Sequence, residues 1–98
     1  MPTLSKFATT KKFDKEYAKL CEDDKKLVDT VVEMLLAGLL LPAKYHDHQL
    51  KGNLKDFRDC HVKPDLVLIY GKEIDSKTGN EILIITAYRI NSHSELDL

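Results

Sequence analysis

The apolar positions of this chain change period several times, and each change predicts an element. From Thr3 to Ala8, Leu4, Lys6 and Ala8 alternate with Ser5, Phe7 and Thr9, a short period-two pattern that predicts a strand. Phe13, Tyr17 and Leu20 then recur at helical spacing, and Thr9 or Thr10 can cap a helix over Lys11 to Cys21. Glu22-Asp23-Asp24 is a break and a second start signal, because carboxylates suit the positive end of a helix dipole. From Asp24 or Lys25 to Leu40, Leu27, Val28, Val31, Met34, Leu35 and Leu39 form one apolar face, widened by Val32 and Leu36. This is the expected core helix, with Pro42 as its stop. The two helices are expected to pack as an antiparallel hairpin.

The second half reads differently. Ala43 to Lys55 is a polar loop with His46, His48 and Gly52. Phe57 to Val62 alternates as a strand, with Phe57, Asp59 and His61 on one face and Arg58, Cys60 and Val62 on the other. Lys63-Pro64-Asp65 is turn chemistry. Leu66 to Tyr70 is a continuous apolar run, as expected of a strand covered on both faces. Gly71 to Asn80 is a charged turn, Glu81 to Ile90 a last long strand, and Asn91 to Leu98 a tail with one helical turn capped by Asn91 or Ser92. The order β-α-α-β-β-β predicts a single α+β domain over residues 1–98. An antiparallel sheet of about four strands would carry the two N-terminal helices on one face. The opposite face would be concave and partly polar, a place for the histidines to converge.

Composition narrows the function. With 98 residues, 43% hydrophobic and 32% charged, the chain can bury one modest core and is not of disordered type. No apolar run reaches the roughly 18–20 residues needed to span a membrane. Met1 to Asp14 is polar and basic, unlike a secretory leader. Two cysteines, Cys21 and Cys60, do not make a disulfide framework, so the expected compartment is the reducing cytoplasm. The net charge of -1 argues against a dedicated nucleic-acid binder, yet Lys44 to Lys63 holds five basic residues against three acidic ones.

The chemistry-bearing groups gather between Tyr45 and Tyr70. This stretch carries three of the four histidines, with His93 as the fourth, together with Lys51, Arg58, Asp59 and Asp65. Imidazoles, carboxylates and cations at this density suit acid–base chemistry on a phosphate ester. The His46-x-His48 pair with Cys60 or His61 also has a zinc reading. It is disfavoured because consecutive strand residues point to opposite faces.

The stretch D-H-Q-L-K-G-N-L-K-D-F-R-D-C-H-V-K-P-D-L-V-L-I-Y, followed later by R-I-N-S-H-S-E-L, resembles the YafQ branch of the RelE/ParE toxin superfamily, over most of the chain. The resemblance implies a small cytoplasmic endoribonuclease that cleaves messenger RNA on the ribosome. It implies no metal or other cofactor. It also implies a cognate antitoxin as partner, with the toxin–antitoxin complex binding operator DNA through the antitoxin. Carried over by position, the implied catalytic residues are His48, Asp59, His61, Asp65 and His93. Arg58 and Arg89 match positions where the family has arginine near the site. Two departures stand out: Asn91 replaces a frequent glycine, and Asp97 stands where many members have an aromatic residue that meets RNA bases.

In metal-free RNA cleavage the neighbouring 2′-hydroxyl attacks phosphorus, one group takes its proton, and another protonates the leaving 5′-oxygen. Histidine suits both proton roles. His93 and His61 are the expected acid–base pair, with His48 close enough to share a role. Asp59 is placed to orient an imidazole or act as a base, and Asp65 to fix the turn or join the chemistry. Lys51, Arg58 and Arg89 are the expected phosphate contacts, and Leu96 an apolar contact in place of the missing aromatic. The alternative is an attenuated binding module of the same fold that docks an antitoxin or other partner. A gyrase inhibitor of the ParE type is disfavoured, since the histidines would then have no purpose.

Overall fold

The computed structural model describes residues 4–50, 57–76, 79 and 81–96, with the backbone alone at His93. In chain order the elements are β1 (Leu4–Thr9), α1 (Lys11–Ala18), α2 (Glu22–Leu36), a 3-10 turn (Ala43–Tyr45), β2 (His48–Gln49), β3 (Arg58–Lys63), β4 (Leu66–Asp75), β5 (Ile82–Asn91) and α3 (His93–Leu96). One sheet runs in the order β1-β5-β4-β3-β2. The α+β class and the element order match expectation. The sheet differs in two respects. It has five strands, because His48 and Gln49 pair with β3. It is mixed, because β1 lies parallel to β5, with Leu4 opposite Ile82.

Local chemistry explains the helix ends. Thr10 caps α1 by accepting from the Phe13 amide at 3.1 Å, and its hydroxyl donates to the Tyr88 carbonyl at 2.7 Å. The first turn of α2 carries Glu22, Asp23 and Asp24. That helix ends at Leu36, short of the expected Leu40. Gly38 has φ 75°, and the amides of Gly38 and Leu39 turn back to the carbonyls of Leu35 and Met34 at 3.0 and 3.2 Å. A left-handed glycine, rather than Pro42, therefore terminates it.

The core forms where α1 and α2 cover one sheet face. Phe13, Val28, Val31, Val32 and Leu35 pack on Cys60, Val62, Leu68, Tyr70, Leu83, Ile85, Ala87 and Ile90. On the other face Val67 and Ile69 pack with Leu96 of α3, flanked by Leu50, Phe57 and Tyr88. β4 is thus covered on both sides through Leu66–Tyr70, as its apolar run predicts, and it continues in pairing with β5 to Asp75. No helix among the described residues is long and apolar enough to cross a membrane.

Glu16 fastens α1 to the end of β5. Its two carboxylate oxygens accept from Arg89 Nε and Nη2 at 2.8 Å each, from the Ile90 amide at 3.2 Å and from Asn91 Nδ2 at 2.8 Å. Burial pushes this carboxyl up, but the donors from Arg89, Asn91 and Ile90 outweigh it and hold the group below its usual range.

Two stability predictions follow from these contacts. Because Glu16 ionises below its unfolded value, its contribution is present above the unfolded pKa of about 4.3 and is lost as pH falls through the folded one. Glu16→Gln should cost about 1–2 kcal/mol at neutral pH. Urea denaturation should show the two proteins converging in acid. Gly38→Ala places a Cβ at positive φ and should cost about 1 kcal/mol, lowering the melting temperature by roughly 4–8 °C, whereas Pro42→Ala should leave it nearly unchanged.

Candidate active site

The site is built at the sheet edge where β2 meets β3. The 3-10 turn delivers the chain to His46, which sits in the left-handed region at φ 49°, ψ 41°. For a residue with a Cβ this conformation costs about 1–2 kcal/mol. From there Asp47 and His48 project to opposite sides of the extended chain. His48 faces Asp59 across the β2–β3 ladder. Its Nδ1 lies 2.8 Å from the His46 carbonyl oxygen and 2.9 Å from Asp59 Oδ1. A carbonyl oxygen only accepts, so Nδ1 carries the proton and the neutral ring keeps its lone pair on Nε2. The Asp59 side chain is 5% exposed and that of His48 is 56% exposed, so a buried carboxylate stands behind an accessible imidazole.

A cavity of about 800 Å³ opens beside this pair. Leu27, Lys44, Tyr45, His46, His48, His61, Val62, Lys63 and Pro64 line it. The His46 and His61 rings lie 5.4 Å apart at 59°. Lys63 Nζ bonds Asp24 at 2.8 Å, and that hydrogen bond holds the ammonium above its ordinary range. Cys60 is fully buried in the helix-covered core, where burial pushes its thiol up and away from reactivity. Among the described residues no group of three or more His, Cys, Asp or Glu side chains is arranged to hold a metal ion.

Of the residues predicted from sequence, His48, Asp59 and His61 are brought together. His61 lies opposite Val67 and Val67 opposite Asn91, so two strand spacings, about 10 Å, separate His61 from the residue that leads into α3. His93 opens that helix, and its side chain is not among those described. The junction is held by Asn91 Oδ1, which accepts from the Ser92 amide at 2.9 Å, and by Ser92 Oγ, which accepts from the Glu95 amide at 3.3 Å. Asp65 is exposed in the turn after Pro64. Lys51, like Asp97, lies outside the described residues.

Three predicted RNA contacts are engaged within the fold. Arg58 Nε and Nη2 each donate to Asp47 at 3.2 Å, and Arg89 holds Glu16. Neither lines the cavity, because each guanidinium is drawn to a partly buried carboxylate. Leu96 is 8% exposed, an anchor for α3 on Val67 and Ile69 rather than an accessible platform. Sequence reasoning missed Lys44, Lys63 and Leu27 as cavity residues, and Asp47 as the partner of Arg58. The alternation in His46-Asp47-His48 was the available signal for Asp47, since it sends the carboxylate to the face that Arg58 occupies.

Comparisons with known proteins agree with this fold. The family profile described as the bacterial toxin of type II toxin–antitoxin systems, YafQ, matches residues 5–98. The chain is 45% identical over 49 residues to the mRNA interferase toxin YafQ of Escherichia coli K12, covering 50% of this chain and 53% of that protein. It spans between half and two thirds of the length of the curated relatives it matches. Among solved structures, a metal-bound toxin from Helicobacter pylori superposes with a TM-score of 0.72 at 44% identity, covering 98% of this chain and 99% of that one. The YafQ of the Escherichia coli DinJ–YafQ toxin–antitoxin complex gives a TM-score of 0.72 at 29% identity, over 94% and 96%. The profile match runs almost end to end and the fold is that of solved toxins, so the chain belongs to the YafQ family of bacterial type II toxin–antitoxin toxins.

Proposed function

We propose that this chain is the toxin of a type II toxin–antitoxin pair and a metal-independent endoribonuclease that cleaves mRNA on the ribosome. The observation that supports it is the His48–Asp59 pair: the His46 carbonyl accepts Nδ1–H, a buried carboxylate lies 2.9 Å from the same nitrogen, and Nε2 is left with its lone pair on an exposed ring. His48 Nε2 takes the proton from the 2′-hydroxyl. The 2′-oxygen attacks phosphorus and the 5′-oxygen departs with a proton. The products are a 2′,3′-cyclic phosphate and a 5′-hydroxyl. Asp59 stabilises the imidazolium that forms, as the orienting carboxylate does in hydrolase triads. His61, in the same cavity, and His93, in the adjoining helix, are the two candidates for the acid. Lys44 and Lys63 are the cations that line the cavity among the described residues, and Lys51 and Asp65 remain proposed contributors.

The partners follow from the family and from charge. The Escherichia coli relative is solved with its antitoxin DinJ. A cognate antitoxin here would mask the cavity with an acidic, amphipathic segment that is disordered when free, and would carry the complex to operator DNA. Function on translating ribosomes places the protein in the cytoplasm.

Primer extension on translating ribosomes tests this, with EDTA-treated protein in a magnesium buffer. The native chain should give discrete new 5′ ends. His48→Ala should lower their rate by about 10²- to 10⁴-fold. Asp59→Asn should lower it less. Whichever of His61→Ala and His93→Ala falls as far as His48→Ala identifies the acid. No cleavage by folded native protein on active ribosomes would replace the enzyme with a docking module.

A further inference from the structure

We propose that Asp47 is a positioning residue for His48: held from the helix-covered side of the sheet by Arg58 and Tyr70, it fixes the 46–48 backbone so that the imidazole stays against Asp59 in its Nδ1–H form. The Asp47 carboxylate accepts three hydrogen bonds. Tyr70 Oη donates to Oδ1 at 2.6 Å, and Arg58 Nε and Nη2 donate to Oδ1 and Oδ2 at 3.2 Å. These donors come from two strands, β3 and β4, and Tyr70 is 1% exposed within the core. Asp47 is thereby tied to the buried core. The residue before it is the left-handed His46, whose carbonyl receives His48 Nδ1–H. The residue after it is His48.

β2 has two residues, and the next backbone bond runs from the Leu50 amide to the Phe57 carbonyl at 2.9 Å. Tyr70 stays a donor across the working pH range, because burial and then Asp47 push its phenol up. The His48 ring sits on one side of the chain and its anchor on the other. A free neutral histidine prefers the proton on Nε2, which would remove the lone pair the chemistry needs. Releasing Asp47 frees the His46 carbonyl to turn and lets the ring revert to that form.

The expected loss of rate rests on the ribonuclease function above; the tautomer does not, so the two are tested separately. Full-length protein labelled with 15N-histidine is compared as native, Tyr70→Phe, Asp47→Asn and Ile74→Ala, the last altering an exposed side chain away from the Asp47 cluster. Native protein and Ile74→Ala should show His48 as Nδ1–H. Tyr70→Phe and Asp47→Asn should shift it toward Nε2–H. Single-turnover cleavage by Asp47→Asn should fall about tenfold at unchanged half-saturating RNA, less than the roughly 10²- to 10⁴-fold of losing the imidazole. If Asp47→Asn does not fold, Tyr70→Phe, which keeps the ring, carries the test. An unchanged His48 tautomer in a folded Tyr70→Phe or Asp47→Asn protein overturns the proposal. A shifted tautomer in a chain whose native form does not cleave RNA upholds the positioning and removes the ribonuclease.

Discussion

Burial of β4 on both faces is the constraint on which the rest of the structure depends. Leu66 to Tyr70 are all at most 9% exposed, and a strand of this kind is stable only if something covers each side. One cover is large: α1 and α2, with Phe13, Val28, Val31 and Leu35. The other is small: the single turn of α3, whose Leu96 meets Val67 and Ile69, with Leu50, Phe57 and Tyr88 around it. Because the second cover is small, much of that face is left for polar groups. Asp59 and His48 sit at its β3 edge, and the junction leading to His93 is carried there by the same α3 that completes the core.

Carboxylates tie the functional segments to this frame. Asp47 brackets the histidine loop onto β3 and β4, and Glu16 brackets the β5–α3 junction onto α1. Both use an arginine fork, which matches a carboxylate in two bonds and needs less reorganisation than a lysine. Such partly buried pairs cost desolvation, and removal of one partner leaves an uncompensated charge. They also alter the surface field. With Arg58 joined to Asp47 and Lys63 to Asp24, the cations counted along Lys44 to Lys63 are not all offered to a ligand. Lys44, lying over the Tyr45 ring, is one the cavity does present.

Much of the fold was legible in the sequence, for physical reasons. The apolar run of β4, the stripe on α2 and the alternation around Asp59 and His61 are local signals, since burial follows the period of the element. The two-residue β2 was not legible, because two residues show no period and their pairing depends on where the His46 turn sends the chain. The direction of β1 was hidden because alternation is the same in parallel and antiparallel strands. Gly38 and Pro42 were both visible as breakers, and only the backbone distinguished which one acts. In the candidate site, the closeness of His48, Asp59 and His61 was anticipated through their spacing and family resemblance. The carboxylate that Arg89 holds was not legible, because a partner 73 residues away leaves no local trace.

The parallel pairing of β1 with β5 also bears on how the molecule comes into being. Leu4 to Thr9 lie against Ile82 to Ala87, so one edge of the sheet joins the first strand to the fifth. During synthesis the two helices emerge early and the β3–β4 hairpin later, but β1 has no strand to bond until β5 has left the exit tunnel. Closure therefore waits for β5, and contacts of such wide sequence separation are slow to form. Until β5 emerges the nascent chain has an unpaired first strand, a β4 bonded along one edge and no α3 to cover its second face.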